Sequence, residues 1–113
     1  DVEAMRLGAA LLVGEKDFRG FSSMKKTKKS TVRRLESVKI RELPGDVEFD
    51  FTGTGFLYTM VRILTGTLLE IGMGKREPES IGKVFQKNDR NLAGFTAPAR
   101  GLTLVEVFYP KNS

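Results

Sequence analysis

The stretch from Phe56 to Met73 sets Leu57, Met60, Val61, Leu64, Leu68 and Ile71 three and four residues apart. A strand cannot use that spacing, so it predicts a helix with a wide apolar stripe. Any fold for this chain must bury that stripe against a second large element. Gly72 and Gly74 are its predicted stop. Pro78 suits the first turn of a further helix running to about Lys87, because a first-turn N–H has no partner to lose, and Glu79 and Lys83 are spaced to pair along it. Near the start of the chain, Val2, Met5, Ala9 and Leu12 share one stripe, which predicts a helix over 2–13, capped by Asp1 and ended by Gly14.

The element that covers these helices reads as a sheet. Residues 31–42 alternate and are rich in β-branched side chains, Leu43-Pro44-Gly45-Asp46 is a turn signal, and Val47, Phe49 and Phe51 alternate with Glu48, Asp50 and Thr52. This predicts a hairpin whose second strand has one buried aromatic face and one wet acidic face. Residues 102–109 are apolar on both faces and predict a last strand, central in the sheet. The segments after Gly14 and over 89–100 read as loops. The order is helix, hairpin, helix, helix, strand, with no repeat or linker. At 113 residues, it predicts one α+β domain, with helices packed on one face of a largely antiparallel sheet. Phe18 and Phe21 could stack on bases, but the expected role is to plug the end of the core.

Composition then removes most chemistry. The chain has no cysteine and no histidine. Disulfides, thiolate nucleophiles, zinc–thiolate sites, Ser-His-Asp triads and histidine metal sites are all excluded. What remains is carboxylate, lysine, arginine, tyrosine and hydroxyl chemistry. No apolar run approaches a membrane span, no signal peptide is visible, and a chain without cysteine suits a reducing cytoplasm. A start at Asp1 rather than Met predicts a fragment of a longer protein.

The formal charge of +5 is uneven, with eight Lys or Arg and a single acid, Glu36, between Met24 and Arg41. Lys25, Lys26, Lys28 and Lys29 fall on a predicted loop. They suit backbone phosphate contacts, which need charge but little geometry, and they suit an ordinary solvated loop equally. Arg33, Lys39 and Arg41 are expected to pair with Glu48 and Asp50 across the hairpin. Thr52-Gly53-Thr54-Gly55 lacks the lysine and spacing of a phosphate loop and is predicted to be a tight turn. Arg62 shares a helix face with Thr59 and Gly66. A glycine inside a helix costs about 1 kcal/mol relative to alanine, so its presence there implies close approach by a backbone or a ligand. Arg62 could then pair with a carboxylate or grip a phosphate, or be an ordinary surface arginine beside a packing glycine.

These segments, in order, resemble the C-terminal domain of the tRNA pseudouridine synthase A family. The resemblance is carried by KDFRGFSS (16–23), STVRRL (30–35), FLYTMVRILTGTLLEIGMGKREP (56–78) and NDRNLAGFTAPARGLTLVEVFYP (88–110). It implies an isomerase that turns selected uridines of the tRNA anticodon arm into pseudouridine without cofactor or metal. It implies a homodimer, with tRNA and the N-terminal half of the same protein as partners. That half would supply the attacking aspartate, whose motif is absent here, so the isolated chain is expected to be inactive. Arg62 matches the family arginine directed at that aspartate, where it would orient the carboxylate and hold it ionised. Leu102 matches a leucine lining the pocket near the target base. Phe56, Leu57 and Met60 match the helix start, where packing and pocket roles stay unseparated. The lysine loop would face tRNA. Lys16, Thr59 and Thr103 depart from the common histidine, histidine and tyrosine. Beside this reading stand a non-catalytic RNA-binding module, on the basic segment, and a dimerisation scaffold.

Overall fold

The computed structural model of the protein describes residues 1–23, 30–57, 59–98 and 104–107, the last four and Asp46 as backbone. Helix α1 spans Val2–Ala10, and Asp1 accepts from the Ala4 N–H at 3.1 Å, as a cap should. The helix ends at Ala10 rather than at Gly14, through tight turns that bond Leu11 N–H to Gly8 O and Leu12 N–H to Ala9 O. Gly14, at φ +117°, instead opens a strand where the sequence suggests loop, β1 (Gly14–Asp17). Its alternation is too short to register as a pattern, and it exists because β2 supplies the partner backbone.

Strand β2 (Val32–Leu43) pairs antiparallel with β1 and with β3 (Asp46–Gly53). Pro44 and Gly45 form the turn between them, with Gly45 supplying φ +73°. Strand β4 (Leu104–Val107) runs parallel to β3, so the described sheet has the order β1-β2-β3-β4 and is largely antiparallel. The sequence places β4 in the centre because it is apolar in both alternations. Among the described strands it lies at the edge instead.

Helix α2 begins at Met60 and runs to Gly72, four residues later than the periodicity from Phe56 suggests. Thr59 stands just before it at φ +56°, and this break sets Phe56 and Leu57 ahead of the helix rather than in its first turn. From Val61 to Leu68 only Arg62 keeps appreciable exposure. A helix buried round its circumference is the centre of the fold. The sheet face carrying Leu35, Ile40, Phe49 and Phe51 joins it in one core with Met5, Ala9 and Leu12 of the α1 region. Helix α3 (Ser80–Lys87) follows, entered through Pro78.

Phe18 and Phe21 close the end of this core. Both are fully buried, with ring centroids 5.2 Å from that of Phe85 on α3 in edge-to-face contact. Lys16 Nζ lies 5.6 Å from the Phe85 centroid. Phe18→Ala is expected to lower stability by about 3–5 kcal/mol, since the cavity would be walled by two other rings that cannot both collapse into it. A denaturant melt of the variant measures this; a drop under about 1 kcal/mol would place Phe18 outside the core. The hairpin pairing is met in part. Arg41 and Glu48 face each other at 3.6 Å and Lys39 is opposite Asp50, whereas Arg33 donates to the carbonyls of Ser30 and Val32 instead.

Candidate functional site

Arg62 lies in the first turn of α2, half-buried. A cation at the N-terminal end of a helix opposes the macrodipole by about 0.3–1 kcal/mol, so the position is not chosen for helix stability. No acid sits in that first turn, and Thr59 makes no side-chain cap there. Its hydroxyl is instead 2.6 Å from Ser23 Oγ, which ties the helix start to the chain leading into the lysine run. The Arg62 side chain is fixed by one bond, Nε donating to Ala97 O at 2.7 Å. The Ala97 N–H donates back to Arg62 O at 3.0 Å. No described residue forms an ion pair with it.

The segment over 92–98 forms a strap across this face of α2, and glycine makes the approach possible. A Cβ on Gly66 would sit 1.8 Å from Phe95 O, and one on Gly94 would sit 2.6 Å from the Thr67 Cα. The close neighbour implied by the sequence is therefore backbone. Once in place the strap is bonded along its length. Gly94 N–H donates to Thr67 Oγ1 at 2.8 Å, and that hydroxyl donates in turn to Ile63 O. Phe95 N–H donates to Glu70 Oε2 at 3.1 Å. Arg76 pairs with Glu70 at 3.2 Å, donates to Ser80 Oγ and also holds Leu92 O. Arg90 donates to Gly94 O at 2.8 Å and to Thr96 Oγ1 at 3.2 Å. Asp89 starts the turn Arg90–Leu92 by accepting from Asn91 N–H.

Beside the strap, Val47, Phe49, Thr65, Leu69, Phe95 and Pro98 line an apolar cleft of about 390 Å³ at the hairpin end of the sheet. Of the residues the sequence singles out, Arg62 is brought against the strap. Met60 is fully buried, Leu57 nearly so, and Phe56 is half-buried. Lys25, Lys26, Lys28, Lys29 and Leu102, with Thr103, Tyr58 and Tyr109, lie outside the described residues. Sequence reasoning misses the holding set of Thr67, Glu70, Arg76 and Arg90. The available signal was polar side chains at α2 positions where the stripe called for none, and the arginine of the Asp89-Arg90 pair. Among the described residues no three carboxylates converge to hold a metal ion. No described helix is long and apolar enough to cross a membrane.

A family model described as tRNA pseudouridine synthase matches residues 9–110. A tRNA pseudouridine synthase A of Exiguobacterium sibiricum is 44% identical over 112 residues, covering 99% of this chain and 45% of the relative. The tRNA pseudouridine synthase A of Geotalea uraniireducens is 46% identical over 109 residues, covering 96% of this chain and 45% of its own. That of Brevibacillus brevis is 45% identical over 109 residues with the same coverage, 96% and 45%. The chain thus spans less than half the length of these curated relatives.

Proposed function

The chain belongs to the tRNA pseudouridine synthase family, and on that premise we propose that it is the C-terminal domain of an enzyme that isomerises uridine to pseudouridine in the anticodon arm of tRNA. In that reaction the bond from C1′ of the ribose to uracil N1 breaks and a bond from C1′ to C5 forms. The C5 proton leaves to solvent and N1 takes one up. The attacking carboxylate comes from the remaining half of the protein. Arg62 orients it and, as a fixed positive charge, keeps it ionised. Leu102 lines the base pocket. Leu57 and Met60 act through packing, and Phe56 keeps enough free surface to touch the base. The chemistry assigned to the site calls for no metal or cofactor.

The observation that carries this reading is the setting of Arg62. A half-buried guanidinium stands at the positive end of a 13-residue helix, pinned through Nε and in no ion pair with any described residue. An arrangement of that kind suits an anionic partner. The partners proposed are tRNA, the N-terminal half and a second copy of the protein, in the cytoplasm. β4 supports the second of these, since Leu104, Val105 and Val107 suit a strand that the rest of the protein covers.

The test uses full-length protein and tRNA carrying tritium at uridine C5. Isomerisation must release tritium to water. Binding of tRNA without release would favour the non-catalytic RNA module. In the same protein, changing Lys25, Lys26, Lys28 and Lys29 together to alanine is expected to weaken tRNA binding and flatten its salt dependence, by about 0.7–0.9 in log–log slope for each phosphate no longer neutralised. An unchanged slope excludes that loop from the interface.

A further inference from the structure

The bonds of the strap single out one side chain that the reaction chemistry itself does not call for. Arg90 is half-buried, and each of its terminal nitrogens donates to the strap, Nη1 to Gly94 O and Nη2 to Thr96 Oγ1. These two acceptors flank Phe95, whose carbonyl rests against the bare Cα of Gly66. One residue beyond Thr96 is Ala97, whose carbonyl holds Arg62 Nε. A planar fork that bridges residues two apart fixes the curvature of the chain between them, which a single flexible donor cannot do. Asp89 sets the turn from which Arg90 reaches back, and Gly94 N–H is separately anchored on Thr67. The position of Ala97 O is therefore the far end of a short rigid span whose near end is Arg90.

We propose that Arg90 is a positioning residue for Arg62: by gripping Gly94 and Thr96 it places the Ala97 carbonyl that orients the Arg62 guanidinium toward its acid. This deepens the proposed function and rests on it. Arg90 acts through the strap, to which each of its outer nitrogens gives one hydrogen bond. The span reaches the Arg62 backbone through the Ala97 N–H at 3.0 Å and its side chain through Ala97 O alone, at 2.7 Å from Nε, so an error in strap curvature passes into the direction of the guanidinium.

The experiment is a double-mutant cycle in the full-length enzyme: unchanged protein, Arg62→Ala, Arg90→Ala and the double variant. Single-turnover tritium release and tRNA dissociation constants are measured for each. Arg90→Ala is expected to slow release about 10- to 100-fold, the scale of a misplacement of about 1 Å, with tRNA affinity within about twofold. In the Arg62→Ala background the same change should alter the residual rate less than about threefold, because the group it acts through is gone. A purely structural role would lower the melting temperature and persist whether or not Arg62 is present. Equal slowing in both backgrounds, or an Arg90→Ala enzyme with the unchanged rate, overturns the inference. Arg62→Ala at the unchanged rate sinks the functional reading itself, a distinct outcome. Should Arg90→Ala fail to fold, Thr96→Val, which removes only the Nη2 acceptor, and Arg90→Lys carry the same cycle. Each is expected to slow release about 3- to 10-fold with Arg62 present and to be silent without it; no slowing overturns the proposal.

Discussion

Replacing Arg62 with alanine in the full-length protein is expected to slow pseudouridine formation by about 100- to 1,000-fold while leaving tRNA affinity within about twofold. The asymmetry follows from where the side chain is. It is half-buried and held through Nε on Ala97 O. A guanidinium so placed contributes little to long-range attraction for RNA, and much to the direction and charge of one acid. Arg62→Lys is the more informative companion. The ammonium keeps the charge, but it has no planar fork with which to hold Ala97 O and aim a second donor, so about a tenfold loss or more is expected. If both variants instead weaken binding and leave turnover alone, Arg62 is a phosphate contact and the assigned role is wrong.

Gly66→Ala is the second change with a large expected effect, and its sign is opposite to helix propensity. In an open helix the substitution gains about 1 kcal/mol. Here the new Cβ would lie 1.8 Å from Phe95 O, a backbone atom that cannot swing aside. The strap must lift, and lifting it breaks the bonds to Thr67, Glu70 and Arg62. A net loss of about 2–4 kcal/mol is expected, at the upper end of overpacking in a filled core. Gly82→Ala is the internal control, since nothing lies within 4 Å of a Cβ there. It is expected to be neutral or to stabilise by up to about 1 kcal/mol. Parallel denaturant melts of the two variants compare them directly. A stable Gly66→Ala protein would mean that the strap does not rest on α2.

What the sequence shows of this fold follows from how local each signal is. The stripe of α2 and the hairpin from Val32 to Gly53 are written in spacing that a reader can count, and the buried roles of Phe18 and Phe21 follow from the tendency of such rings to be core. β1 is not, because four residues hold no periodicity and its reason to be a strand lies in the distant backbone of β2. The late start of α2 is hidden for a similar reason. Phe56 and Leu57 fit the stripe, and only the positive φ at Thr59, an unusual conformation for a β-branched residue, separates them from the helix. In the site, Gly66 can be read as a place of close approach, since a helix-interior glycine carries a cost that needs a reason. That the approaching group is Phe95 O, and that Ala97 holds the arginine, cannot be read, because residues some thirty positions apart give no spacing to count. The strap is held by side chains both near it in sequence, Arg90, and far from it, Arg76 and Glu70, and these look like surface charges until the chain is folded.

The most direct measurement is one distance in a crystal structure of the full-length protein, from the Arg62 guanidinium to the nearest carboxylate contributed by the other half. A charge-assisted contact of about 2.7–2.9 Å is predicted, made while Nε still holds Ala97 O. A guanidinium turned to solvent, with no acid of that half within about 6 Å, would contradict the role assigned to Arg62.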